Sequence, residues 1–100
     1  MRHLLNRTFD LKRRVDMGGW FEWELYGTIK GRMRPVSVAE TTLAVVSGVA
    51  ISHIFYCMAD ADIKEYDRIV TGLGEVEIRA IKNPSYANHH YECWGKHLAG

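Results

Sequence analysis

One hundred residues are enough for a single hydrophobic core and too few for two independent domains. The composition, 47% apolar and 25% charged, is that of a soluble globular domain. With 13 basic against 12 acidic residues and a formal charge of +1, the chain lacks the basic excess on which tight duplex binding rests. The basic start is followed only by Leu4 and Leu5, which is no signal-peptide core. No run approaches the ~18 apolar residues that span a bilayer, so no membrane partner is expected. Cys57 and Cys93 then read as reduced thiols of an intracellular protein.

Alternation with period two dominates the chain. In residues 8–15, Phe9, Leu11 and Val15 alternate with Thr8, Asp10, Lys12 and Arg14, which predicts a half-buried strand with Arg13 as its exception. Asp16, Met17, Gly18 and Gly19 supply a turn. Residues 21–34 place Phe21, Trp23, Leu25, Gly27, Ile29, Gly31 and Met33 on one face. The other carries Glu22, Glu24, Tyr26, Thr28, Lys30, Arg32 and Arg34. This is a long strand, or two strands joined by a bend, with Gly27 and Gly31 marking bulges or barrel corners and Pro35 ending it. On this reading Phe21 and Trp23 point to the core. Trp20, on the polar face, is a surface aromatic and an interface candidate.

Residues 36–50 show no clear period. Ser37-Val38-Ala39-Glu40 fits a capping box that would start a short helix. The β-branched Thr41, Thr42, Val45 and Val46 disfavour one, and Ser47-Gly48 breaks it. The segment, which also holds Val36 and Leu43, reads as a loop rather than a stable helix. Residues 49–58 are apolar on both faces, Ile51, Phe55 and Cys57 against Ile54, Tyr56 and Met58. Such a strand is central, or is buried a second time by a partner. Ile54, Tyr56 and Met58 are therefore expected to leave apolar surface uncovered in the monomer.

Asp60-Ala61-Asp62 leads to a strand over 67–71, and Gly72-Leu73-Gly74 makes a hairpin loop. A strand over 75–81 follows, with Val76, Ile78 and Ala80 inward. Asn83-Pro84-Ser85 turns the chain into a last strand over 89–94. The fold class is all-β, a small barrel or sandwich of about six to seven antiparallel strands with one long loop or short helix between the second and third.

Residue chemistry points away from catalysis. His89, His90, Cys93 and His97, with Cys57, are the candidate metal ligands, but His90 points opposite to His89 and Cys93 on a strand and no paired ligand spacing occurs. Asp60 and Asp62 flank a turn, where aspartate caps backbone amides. No phosphate-binding loop, dinucleotide fingerprint or hydrolase elbow is present, so neither enzyme activity nor a cofactor or metal is expected. Lys30, Arg32 and Arg34 share one strand face and, with Lys12 and Arg14, form a cationic surface. It suits either an acidic partner or passing DNA, or it is a solvated edge.

The order of short motifs says more. Leu5-Asn6-Arg7-Thr8-Phe9, Gly31-Arg32-Met33-Arg34-Pro35, Glu40 and Ser52-His53 are followed by Ala59-Asp60-Ala61-Asp62-Ile63 and Asp67-Arg68-Ile69. Asn83-Pro84-Ser85 and His89-His90-Tyr91-Glu92 close the succession. Over nearly the whole chain this resembles the head–tail joining proteins, also called head-closure or stopper proteins, of long-tailed bacteriophages. The resemblance implies a small β-barrel forming a ring of twelve copies at the neck of the virion. The ring would sit beneath the portal and its adaptor, with tail-completion or tail-tube proteins docking below and packaged DNA passing through. It further implies that the loop between the second and third strands projects into the channel and retains DNA. Here that loop is 36–50, with Val36, Ser37, Glu40, Thr41, Thr42, Leu43, Val45, Val46, Ser47 and Gly48. It carries no Lys or Arg, so closure would be steric. The alternative from the residues alone is a β-barrel nucleic-acid-binding module that stacks bases on its aromatics.

Overall fold

The computed structural model describes residues 7–39, 41, 48, 50–58, 60–72, 74–82 and 90–98. Six strands follow in chain order: β1 (Arg7–Asp16), β2 (Phe21–Pro35), β3 (His53–Met58), β4 (Arg68–Thr71), β5 (Gly74–Lys82) and β6 (His90–Leu98). All pair antiparallel in the order β1-β2-β3-β6-β5-β4. Pairing of β1 with β4 through Asp10, Leu11 and Lys12 closes the sheet into a barrel. The barrel form of the expected fold class is thus the one adopted, with six strands. Closure removes the sheet edges that a small open sheet would expose.

Inward residues fill the barrel. Phe9, Leu11, Ile29, Phe55, Cys57, Ile69, Ile78 and Cys93 make one buried cluster that Ile63 caps. Phe9 and Phe55 meet edge to face with ring centroids 5.6 Å apart. Glycine is required at Gly31, where a Cβ would run into the Tyr56 carbonyl oxygen and the Phe55 ring. This is the close strand approach expected of a barrel corner.

Two bulges decide which side chains face inward. In the β1–β2 pairing Leu11 opposes Gly27 and Lys12 opposes Leu25, so Tyr26 is the extra residue. Because the side-chain period is two, one inserted residue moves every later position to the other face. Ile29, Gly31 and Met33 therefore share the face of Phe9 and Leu11. Phe21, Trp23 and Leu25 share that of Lys12, Arg14 and Asp16. The expectation that Phe21, Trp23 and Leu25 face the core is thereby corrected: Phe21 and Leu25 are exposed and Trp23 is half-buried. A second bulge, at Arg79, acts likewise. Ile78 opposes Gly95, Ala80 opposes Trp94 and Ile81 opposes Cys93. Ala80, expected inward, instead joins an outer cluster, and Ile81 packs against the core.

That outer cluster explains the doubly apolar β3. Ile54 and Trp94 are buried on the outside of the barrel beneath Val36, Ile51, Tyr56 and Ala80. The covering chain is held by Val36 N–H donating to Ser52 O (3.1 Å) and Ser52 N–H donating to Gly95 O (2.9 Å). Ile54 is therefore covered by its own chain and is no uncovered surface of the monomer, which corrects its place among the interface candidates. Val38, Ala39 and Thr41 are helical, and Thr41 N–H donates to Ser37 O (3.0 Å), so one helical turn follows the capping serine. Glu40, Thr42, Leu43, Val45, Val46 and Ser47 lie outside the described residues, as do Leu73, the 83–85 turn and His89.

Candidate assembly surface

The β1–β2 hairpin runs beyond the barrel. β1 meets β4 only through Asp10, Leu11 and Lys12, and β2 meets β3 only from Gly31 to Pro35. Residues 13–16 and 21–24 therefore pair with each other alone and have no second sheet behind them. The turn joining them is set by Gly18 and Gly19 at φ 83° and 145°, with Asp16 Oδ1 accepting Gly18 N–H (2.8 Å) and Met17 N–H donating to Trp20 O (2.9 Å).

Hydrophobic exposure concentrates on this hairpin and on the turn beside it. Among the described residues the exposed large apolar side chains are Met17, Trp20, Phe21, Leu25, Tyr26 and Tyr66 here, and only Val38 and Met58 elsewhere. Leu25 is 67% exposed and Trp20 58%, well beyond incidental exposure. The aromatic face is braced by cations. The Arg14 guanidinium lies 4.2 Å from the Phe21 ring centre and 4.5 Å from that of Tyr66, and Arg68 lies 3.4 Å over Trp23. Trp23 Nε1–H donates to Tyr66 O (2.8 Å), and Tyr66 holds the left-handed φ of 73°. A non-glycine residue adopts that conformation only where its surroundings impose it. The rings are thus pre-positioned, which lowers the ordering cost of an interface.

Polar contacts fasten the hairpin to the 60–67 segment. Arg13 forks onto Asp67, Nε to Oδ1 at 3.0 Å and Nη2 to Oδ2 at 2.7 Å, and reaches Asp62 Oδ1 at 3.2 Å. The hydrogen bonds it donates to Asp67 hold the Arg13 guanidinium charged well beyond its ordinary range. Tyr26 O–H donates to Asp62 Oδ2 (2.5 Å), and this bond holds the Asp62 carboxyl below its ordinary value and the Tyr26 phenol above its own. Asp62 therefore contributes stability that is full above its unfolded pKa and is lost as pH falls through the lower folded one. Tyr26 contributes stability that is full below pH 10 and is lost as pH rises through the higher folded value. Tyr26→Phe should abolish the alkaline dependence and weaken the acid one, which Arg13 at 3.2 Å from Asp62 partly maintains; melting temperature measured against pH separates the two.

Lys30, Arg32, Arg34, Tyr56 and Met58 come together on the outer face of β2 and β3. Arg32 opposes Tyr56 and Arg34 donates to the Tyr56 hydroxyl (2.8 Å). Trp20 sits apart from them at the hairpin tip. The metal candidates do not converge. Cys57 and Cys93 are buried in the core with sulfurs 4.0 Å apart. The hydrogen bond with Cys57, and burial, hold the Cys93 thiol far above its ordinary range and hence protonated. His90 opposes Met58 on the outer face, and His97 lies at one end of the barrel beside His53. No group of three or more His, Cys, Asp or Glu side chains is placed to hold a metal among the described residues. Phe21, Trp23, Leu25 and Tyr66 are the surface residues that alternation misplaced or overlooked. Gly27, the residue beside the bulge, was the available signal.

Comparison with known protein families finds no match. Nor does any curated protein match the chain. Among solved structures, a chain of the virion of a native gene transfer agent particle is similar in fold, with a TM-score of 0.56 at 18% identity. The similarity covers 96% of this chain and 97% of that one, so the two share the fold from end to end.

Proposed function

We propose that the chain is a structural protein of a phage-type virion. In this reading it assembles as a ring at the portal vertex, closes the DNA-filled head and offers a docking surface to the tail. The observation that carries this reading is the rigid aromatic face of the β1–β2 hairpin, left uncovered by the monomer. A 100-residue domain that projects Phe21, Trp23 and Leu25 past its own core is built to be covered by something else. The end-to-end likeness to a gene transfer agent virion chain supports the virion setting. Its neighbours would be further copies of itself, twelve in the full ring, with portal and adaptor proteins above and tail-completion or tail-tube proteins below. Segment 36–50 would face the channel that DNA crosses, and the protein works by assembly rather than catalysis.

The test is retention on heads. Purified protein is added to DNA-filled, tailless heads carrying portal and adaptor, which are sedimented and scored for bound protein and retained DNA. Binding with DNA retention that is lost on deleting 36–50 is the expected result. Indifference to the heads, with salt-sensitive binding to free single strands, would replace this reading with a nucleic-acid-binding one. Two surface variants sharpen the assay. Phe21→Ser with Leu25→Ser should lower stability by only about 1–2 kcal/mol, most of it from the half-exposed Phe21 and its Arg14 contact. Vertex binding should nonetheless weaken by about 2 kcal/mol or more, as for an interface anchor. Met58→Glu should leave the monomer folded, because Met58 is 48% exposed, and should reduce assembly.

A further inference from the structure

The β1–β2 hairpin has two faces, and the register sorts their charge. Lys12, Arg14 and Asp16 share the outer face with Leu25, Trp23 and Phe21, which lie opposite them. Past the bulge the outer face of β2 continues with Lys30, opposite Thr8. The reverse face carries Arg13 and Val15, with Glu24 and Glu22 opposite them. Residues 13–16 and 21–24 have no second sheet behind them, so both faces of this ribbon are open to a partner.

Most charges near the hairpin are already matched within the chain. Lys12 pairs with Glu75 (2.6 Å), Arg13 forks onto Asp67, and Asp16 is turned to its own turn at Gly18 N–H. Arg14 and Lys30 are the exceptions on the outer face: both are exposed, and neither makes a hydrogen bond or ion pair among the described residues. Arg14 is held against the Phe21 and Tyr66 rings, and stacking leaves the rim of a guanidinium, five N–H donors in a fixed fork, open to a carboxylate. On the reverse face Glu24 is exposed and likewise unpaired among the described residues, and Glu22 accepts only Trp20 Nε1–H (3.0 Å).

The outer face therefore calls for a partner that brings apolar contact and carboxylates together. That combination stands on the other side of the same ribbon, where Val15 lies with Glu22 and Glu24 and the exposed Met17 and Trp20 flank them at the tip. A nucleic-acid strand would supply charge, but its phosphates would lie only one sheet's thickness from Glu22 and Glu24, which repel them.

We propose that the occupant of the outer hairpin face is a second copy of this chain, which lays the reverse face of its own hairpin, with Glu22 and Glu24, against Arg14 and Lys30 of the first. The proposal rests on the assembly reading given above and names the self-contact within it. Because the two surfaces differ, the contact is heterologous. A copy that receives one neighbour still offers its reverse face to another, so association runs past a dimer and ends only where the rotation closes a ring. The formal charge of +1 suits such a series, since self-repulsion does not build up as copies are added.

The test is sedimentation velocity of the purified chain over a range of concentrations, with two charge-reversed variants. Arg14→Glu with Lys30→Glu alters only the receiving face, and Glu22→Lys with Glu24→Lys alters only the offered one. The wild type should associate past a dimer, and each variant alone should associate at least about tenfold more weakly, because like charges then meet. An equimolar mixture of the two variants should restore association, since every mixed contact again joins opposite charges. Mixing also separates a lost contact from a lost fold, because a misfolded variant is not rescued by a partner. A wild type that stays monomeric up to about 1 mM, or that stops at a dimer, would overturn the proposal. So would variants that associate like the wild type, a mixture that stays apart, or a single-stranded oligonucleotide that binds the wild type more tightly than a second copy does. The same variants on DNA-filled heads divide the two readings. Vertex binding and DNA retention indifferent to either reversal would keep the virion role and discard this contact. Variants that complement each other but, like the wild type, ignore the heads would keep the contact and discard the virion role.

Discussion

Replacing Gly31 with alanine is expected to cost the barrel most of its stability. A Cβ at this position meets the main-chain oxygen of Tyr56 and the ring of Phe55 together. Phe55 is fully buried at the centre of the core and already packed edge-on by Phe9, so the ring cannot rotate away. The carbonyl belongs to β3, the strand paired with Gly31, and moves only if β2 and β3 separate. Overpacking usually costs about 1–3 kcal/mol, and a clash with backbone lies at or above the top of that range. For a domain of this size about 3 kcal/mol lowers the melting temperature by roughly 12–24 °C. Gly27→Ala is the control, since a Cβ there meets nothing within 4 Å. Thermal unfolding followed by circular dichroism should separate the two by more than about 10 °C. Equal melting temperatures would show that β2 and β3 are not in the tight contact described.

The second large effect is expected at Asp67. Its side chain is 2% exposed and accepts both arms of the Arg13 guanidinium, together with Lys64 N–H at 2.9 Å. Truncation to alanine leaves the guanidinium facing an emptied site and frees the 60–67 segment on which Tyr66 is positioned. Breaking a buried pair by removing one partner costs about 3–5 kcal/mol. Arg13→Ala leaves the complementary defect, a buried carboxylate. Because the two defects share one cause, the double variant should be more stable than the sum of the single losses predicts, by about 0.5–3 kcal/mol. Denaturant unfolding of the wild type and all three variants gives this coupling directly. Strict additivity would mean that the pair contributes nothing as a pair. Asp67→Ala should also loosen the Tyr66–Arg14–Phe21 stack, and so weaken vertex binding beyond what its stability loss explains.

The corrected assignments share one physical origin. Alternation is a local signal, read two residues at a time, and it carried Phe9, Leu11, Ile29, Val76 and Ile78 to their inward places without help. It failed before Tyr26 in β2 and after Arg79 in β5, where one extra residue faces none on the neighbouring strand. A bulge is a property of two strands in register, so a single strand's period cannot locate it. Gly27 hinted at irregularity but not at its consequence, which was to turn Phe21, Trp23 and Leu25 outward. Arg13 was the one break in the first strand's alternation. That break marks where the strand leaves the barrel and its side chain finds Asp62 and Asp67, more than 45 residues away in the chain.

Composition, alternation and the Gly, Pro and Asp turns determined by themselves an all-β fold, the approximate extent of its strands, and β3 as a strand apolar on both sides. Each depends on neighbours along the chain, and local sterics and solvent preference suffice to set it. Tertiary structure alone decided the closure of the sheet through β1 and β4, and the cover of Val36 and Ile51 over Ile54. It also decided the outward turn of the hairpin aromatics and, with it, which charges share each face of the hairpin. These depend on pairings between residues far apart in the chain. Such pairings are selected by how the whole core packs and by where each bulge falls, and no local window contains that information.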